Sequence, residues 1–167
     1  RSPLIYRIHD TPSPEKMQAR TDFLATLDIP WSKGEAPNTH RFNKLLDDTR
    51  EGPHADIVNE VVLRSQMQAQ YNADNIGHFG LNLAKYAHFT SPIRRYADLI
   101  VHRGLIRALG LGSDGLADKD ISQIKDPAER ITHPERRAMA AQRDATDRYV
   151  AAFLADKVGA EFEGRIT

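Results

Sequence analysis

The chain has 167 residues, with 23 Lys plus Arg balanced by 23 Asp plus Glu and no cysteine. That length supports one domain with a core of its own, while the missing cysteines exclude disulfides and thiolate metal sites and suit a reducing cytoplasm. Neutrality excludes a broadly basic surface, so any nucleic-acid role must rest on a local cluster or a basic neighbour.

The first residues, Arg1-Ser-Pro-Leu-Ile-Tyr-Arg7, lack the apolar core of a signal peptide. No apolar run approaches the roughly 18 residues of a membrane span. Asp10-Thr-Pro-Ser-Pro14 forms a stiff turn, and Ser13 with Pro14 predicts a helix start. Met17, Phe23, Leu24 and Leu27 give that helix an apolar face through about Ile29. Residues 31–37 form a loop, followed by a short helix over Thr39–Thr49 with Phe42, Leu45 and Leu46 on one side. Beyond Gly52-Pro53 a third helix runs from about His54 to Gln70, burying Ile57, Val58, Val61, Val62 and Met67.

Tyr71 to Phe89 changes character, with Gly77, Gly80 and alternating Phe79, Leu81 and Leu83, and is read as a loop with a short extended segment. A helix follows from Pro92 to about Leu109, ended by Gly110 and Gly112. Residues 111–132 are polar, with one short helix between turns. Pro134 then opens a long helix to about Val158, with Met139, Tyr149, Val150, Phe153 and Leu154 facing inward. The last residues, 158–167, resemble the beginning of a strand that is cut short. The expected fold class is mainly α with a short β or extended segment.

Ser91-Pro92 is a strong helix start, and it places Arg94 and Arg95 in the first turn. Two cations there oppose the positive end of the helix dipole, a conflict that a bound anion would remove. Free N–H groups, the Thr90 or Ser91 hydroxyl and an arginine fork together make a phosphate site. A blander alternative stays open: Arg94, Asp98 and His102 are spaced four apart and can form a self-satisfied network on one helix face. Lys85, His88, Arg103 and Arg107 make the neighbourhood locally basic, and Tyr86, Phe89 and Tyr96 interleave rings. Such surfaces suit single-stranded nucleic acid, although rings at this spacing also serve as core. His78 in Gly77-His-Phe-Gly80 reads as a general base or, more simply, as a structural hydrogen-bonding group.

The stretch Tyr86 to Arg103, YAHFTSPIRRYADLIVHR, resembles the signature of the RNB catalytic domain of the RNase II/RNase R family. Arg64-Ser-Gln-Met-Gln-Ala-Gln-Tyr71 with Gly77-His-Phe-Gly-Leu81 resembles the segment before it, and Tyr6-Arg-Ile-His9 with Ser13-Pro-Glu-Lys16 the pattern further upstream. Glu135-Arg-Arg-Ala138 and Arg143-Asp144 resemble the helix after it, and Gly159 to Ile166 is similar to the first strand of an S1 domain. The similarity is closer to RNase R than to RNase II.

The resemblance implies the helical C-terminal portion of an α/β RNB domain over residues 1–158, then a truncated S1 RNA-binding domain over 159–167. It implies a processive 3′→5′ exoribonuclease that releases nucleoside 5′-monophosphates with Mg²⁺, in the cytoplasm. Matched residue by residue, Arg94 falls on the arginine beside the scissile phosphate and is the expected catalytic residue. Arg95, Ser91, Thr90, Lys85, His88, His102 and Arg103 are the expected RNA-binding set. The family's metal ligands are aspartates on a segment preceding this region. No aspartate cluster is present here, Asp47-Asp48 being the only adjacent acidic pair and sited on an ordinary amphipathic helix. No metal ligand is therefore assigned, and the expected partners are a single-stranded RNA 3′ end, the missing N-terminal RNB segment and cold-shock and S1 domains of the same polypeptide. Gln142 stands where RNase II-like members carry a glutamate, which leaves its role open. The competing reading is a helical RNA-binding or interaction module without catalysis.

Overall fold

A computed structural model describes residues 3–32, 34 and 36–163. Helix α1 (Pro14–Ala25) begins where Ser13 and Pro14 predict, with the Lys16 N–H donating to the Ser13 hydroxyl at 3.4 Å. It stops short of Ile29, and Asp28 turns left-handed at φ +57°. Helix α2 (Thr39–Thr49) is capped by Asn38, whose side chain accepts from the His40 N–H at 2.9 Å. Helix α3 (Ala55–Ser65) ends before Gln70 because Gln66 is extended. Leu24, Phe42, Leu45, Val58 and Val62 from these helices form one core.

Arg20 is buried in that core, and its guanidinium lies 4.2 Å from both the Trp31 and Phe42 rings. None of its three nitrogens has a hydrogen-bond partner among the described residues. Burial, assisted by the Arg41 charge, pulls its pKa down to about 10.

The chain holds a two-stranded antiparallel sheet in which β1 (Tyr6–Ile8) pairs with β2 (Gln70–Asn72), Arg7 opposite Tyr71. Three residues carry too little alternation to announce β1 in advance. It exists because distant segments satisfy its backbone: the Arg7 N–H donates to Tyr86 O at 2.9 Å and the Phe79 N–H donates to His9 O at 2.8 Å.

Helix α4 (Tyr96–Leu109) ends at left-handed Gly110 as predicted, followed by α5 (Asp118–Ser122) and α6 (Lys125–Leu154). A second core joins Ile5, Tyr71, Ala97, Ile100, Leu116, Ile124 and Ala128, so the residue before β1 meets β2, α4 and α6 there. The Tyr71 N–H donates to Thr132 Oγ1 at 3.1 Å, tying β2 to α6.

Two expectations about α6 are corrected. Pro134 lies inside the helix and does not open it; the N-terminal half is anchored by buried Ala128, and Pro134 with Arg130 sits on an exposed side where water can satisfy the freed carbonyl. Met139, Tyr149, Val150, Phe153 and Leu154 do not face inward: Tyr149 is 78% and Phe153 63% exposed. The helix projects past the core, so its periodicity marks a face that no described residue covers. Residues 160–163 contain no strand, and 164–167, the rest of the expected S1 strand, lie outside the described residues. Among the described residues no helix is long and apolar enough to cross a membrane.

Candidate functional site

A series of ring contacts, most of them edge-on, leads from β1 to His88. The Arg7 guanidinium sits 4.6 Å above the Tyr71 ring and its Nη1 donates to Glu135 Oε2 at 2.6 Å. The Tyr71 hydroxyl lies 2.8 Å from His88 Nδ1. Burial, reinforced by the charges of Arg95 and Arg7, holds the His88 pKa below its ordinary value, while burial and then Glu135 raise that of Tyr71. Both shifts favour a neutral imidazole that accepts a hydrogen bond from an intact phenol.

Tyr86 meets His88 and His78 edge-on, at 5.6 and 5.2 Å, and His78 stacks on His9 at 4.9 Å. His9 is placed as a tautomer that donates from Nε2 to Met67 O at 2.7 Å and accepts the Gly80 N–H on Nδ1 at 2.9 Å. His78 Nδ1 accepts the Leu81 N–H at 3.2 Å, and burial followed by the His9 charge lowers its pKa. These bonds give His78 the structural role.

The helix start at Ser91 is corrected. Ser91-Pro92 opens one turn only, in which the N–H groups of Arg94 and Arg95 both donate to Ser91 O, at 3.2 and 3.0 Å. Arg95 then becomes extended (φ −126°, ψ 111°), breaks the turn and serves as N-cap of α4. Helix α4 therefore begins at Tyr96, and Asp98 lies in its first turn. Asp98 is fully buried (0% exposed). Its Oδ1 accepts the Ser91 N–H at 2.7 Å and Arg95 Nη2 at 2.8 Å. Burial pushes the Asp98 carboxyl up, but the Ser91 N–H, the Arg95 guanidinium and the His88 charge together outweigh it and hold the pKa below normal.

The anion that helix electrostatics demanded at this end is thus an internal carboxylate. It pairs with Arg95 and not with Arg94, so the Arg94–Asp98–His102 network does not form. Arg94 stands outside the helix and exposed; its side chain, like those of exposed Lys85 and Thr90, has no hydrogen-bond or ion-pair partner among the described residues.

The remaining expected site residues are engaged elsewhere. His102 stacks on Phe89 at 4.3 Å and donates from Nε2 to Phe89 O at 2.7 Å. Arg103 donates to the carbonyls of Asp114 and Gly115 and pairs with Asp120 at 3.1 Å. Gln142 is exposed on the projecting part of α6. Sequence reasoning missed the anchoring part of Asp98; the signal was available as an acidic residue three positions after Arg95, had the helix start been set at Tyr96. No group of three or more His, Asp or Glu side chains among the described residues could hold a metal ion. The implied Mg²⁺ does not fit these residues.

The family model described as RNB domain matches residues 1–110. Ribonuclease R of Vibrio cholerae is 36% identical over 169 residues, covering 96% of this chain and 21% of that protein. Ribonuclease R of Escherichia coli is 36% identical over 175 residues, covering 100% and 22%. Mycoplasma genitalium RNase R, solved in complex with ribose methylated single-stranded RNA, superposes with a TM-score of 0.82 at 28% identity, over 92% of this chain and 25% of that one. The chain thus spans about a fifth of the length of the curated relatives it matches.

Proposed function

The chain belongs to the RNB-domain family, and from that premise we propose that it is the C-terminal part of the catalytic domain of a 3′→5′ exoribonuclease of the RNase R kind. The enzyme hydrolyses single-stranded RNA from its 3′ end to nucleoside 5′-monophosphates, and this chain contributes the arginine that grips the phosphate. One observation carries the reading: on a turn tied down at both ends, Arg94 presents an exposed guanidinium with no internal partner, beside an Arg95 already paired. A planar fork with free donors matches two phosphate oxygens, and it gains strength as negative charge builds on them in the transition state.

Around it, Lys85 and Thr90 are free to contact the RNA backbone, and Ser91 and Arg95 hold the turn. His88 is bonded to the Tyr71 hydroxyl, His102 to the Phe89 carbonyl and Arg103 to the 114–120 segment. Mg²⁺ ligands belong to the part of the polypeptide that this chain does not span, with residues 1–158 completing the catalytic domain and 159–167 beginning an S1 domain. Cytoplasmic residence, RNA as partner and the remaining RNB, cold-shock and S1 segments belong to the same proposal. The solved relative bound to single-stranded RNA supports it.

The absence of a metal-holding group among the described residues favours one second reading for this chain in isolation, an RNA-binding module without catalysis. The test is Mg²⁺-dependent release of monophosphates from a labelled RNA by the full-length protein, before and after Arg94→Ala. A fall in turnover of about 100-fold or more with RNA affinity largely kept is expected, and unchanged turnover refutes the assignment of Arg94.

A further inference from the structure

We propose that Asp98 is a positioning residue for phosphate contact, acting through Arg94 by clamping the turn that presents it. The inference rests on the reading of Arg94 above and deepens it, because it says what fixes the direction of a side chain that itself touches no protein group.

The clamp is a closed ring of bonds. Asp98 Oδ1 takes the Ser91 N–H at 2.7 Å, and Ser91 O takes the N–H groups of Arg94 and Arg95. The Asp98 N–H returns to Arg95 O at 3.1 Å, and Arg95 Nη2 reaches Oδ1 at 2.8 Å. Arg94 is the charged residue inside this ring whose side chain is left over. Its Cα therefore has little freedom, although the guanidinium at its far end is unpartnered. An arginine on a loose loop would lose more conformational entropy on gripping a phosphate, and fewer of its encounters would be aligned.

Two details argue for geometry over plain stability. The Asp98–Arg95 pair is incompletely satisfied: Asp98 Oδ2 and Arg95 Nε are buried and have no partner among the described residues. A buried ion pair in that condition seldom stabilises a fold more than apolar side chains of the same volume would, so its value here lies in orientation. The same pair also divides the labour between adjacent arginines. Asp98 cancels the charge of Arg95, which leaves the positive charge of the turn uncompensated at Arg94 alone. The other cations near the carboxylate are accounted for: His88 is held towards neutrality by burial and by Arg95 and Arg7, and Arg7 is paired with Glu135.

The experiment is a double-mutant cycle in the full-length protein. Asp98→Asn is isosteric and keeps an oxygen for the Ser91 N–H while discharging the hold on Arg95. Single-turnover cleavage rates and RNA dissociation constants are measured for the parent, Asp98→Asn, Arg94→Ala and the double variant. Asp98→Asn is expected to slow cleavage about 10-fold with binding changed less than about threefold, and to have no further effect in the Arg94→Ala background. An equal loss in both backgrounds would mean that Asp98 acts on the fold at large, and the proposal is overturned. If Arg94→Ala slows cleavage and Asp98→Asn does not, the positioning role fails while the phosphate role of Arg94 stands. If Arg94→Ala has no effect, both fail together. Should the Asn form not fold, Asp98→Glu retains the charge but displaces the anchor by one methylene, and the same dependence on background decides the outcome.

Discussion

The two ends of helix α4 carry arginines with opposite fates. At the C-terminal end Arg107 donates to Leu116 O at 2.7 Å and pairs with Asp118, while Arg103 is bonded to the 114–115 backbone and Asp120. Both guanidinium groups fasten the segment after the helix to it, and Arg107, in the last turn, is also favoured by the negative end of the dipole. At the N-terminal end Arg95 is internally paired and Arg94 is not. The same residue type is a fastener where acceptors come back to it and a candidate ligand-binding group where none does. Arg20 adds a condition. It also lacks acceptors, but Trp31 and Phe42 enclose it, so being unpartnered points to a ligand only when the group is exposed.

Substitutions can break this contrast. The largest effect is expected from Arg94→Ala in the full-length protein: turnover falls by about 3 kcal/mol in barrier terms, while thermal denaturation is unchanged within a degree or so. The opposite end should show the reverse signature. Gly115 has no room for a side chain, since a Cβ there would lie 2.8–2.9 Å from Arg107 Cβ, Cα and N. Gly115→Ala should therefore cost about 2 kcal/mol of stability by overpacking, read by chemical denaturation. Arg107→Ala should cost about 1 kcal/mol, almost all from the Leu116 carbonyl, because an ion pair to exposed Asp118 contributes little. Turnover per folded molecule is expected to persist in both variants. Loss of turnover without loss of stability at Arg107 would erase the distinction between the ends.

Arg20→Met sharpens the third case. Removing a buried cation without acceptors, at similar volume, should raise stability by about 1 kcal/mol, offset in part by the lost ring contacts. A lower melting temperature would show that the stacking between Trp31 and Phe42 outweighs desolvation. The smallest effect concerns pH at the N-terminal end. His88 has a folded-state pKa below its unfolded value, so the unfolded chain binds the proton first. Its contribution is complete above about pH 6.5 and declines as pH falls below that. Denaturation between pH 7.5 and 5.5 should show a shallower loss in His88→Gln than in the parent, and identical slopes would remove His88 as the cause.

Much of the helical layout was legible because it is local. Ser13-Pro14 and Gly110 act within one turn of their own positions, and α2 runs over Thr39–Thr49 as its periodicity predicts. The misses share a different cause. β1 depends on bonds from residues 70–86, α6 runs through Pro134 because its first half is anchored in the core, and the outer face of α6 has the pattern of a buried stripe with nothing described against it.

The candidate site divides along the same line. The sequence by itself determined the family, through the signature from Tyr86 to Arg103, and with it the identity of the residues to consider. Only the tertiary structure decided which arginine is free. That depends on where α4 starts, which sets Asp98 against Arg95, and on where the 114–120 segment folds back against α4, and helical periodicity fixes neither.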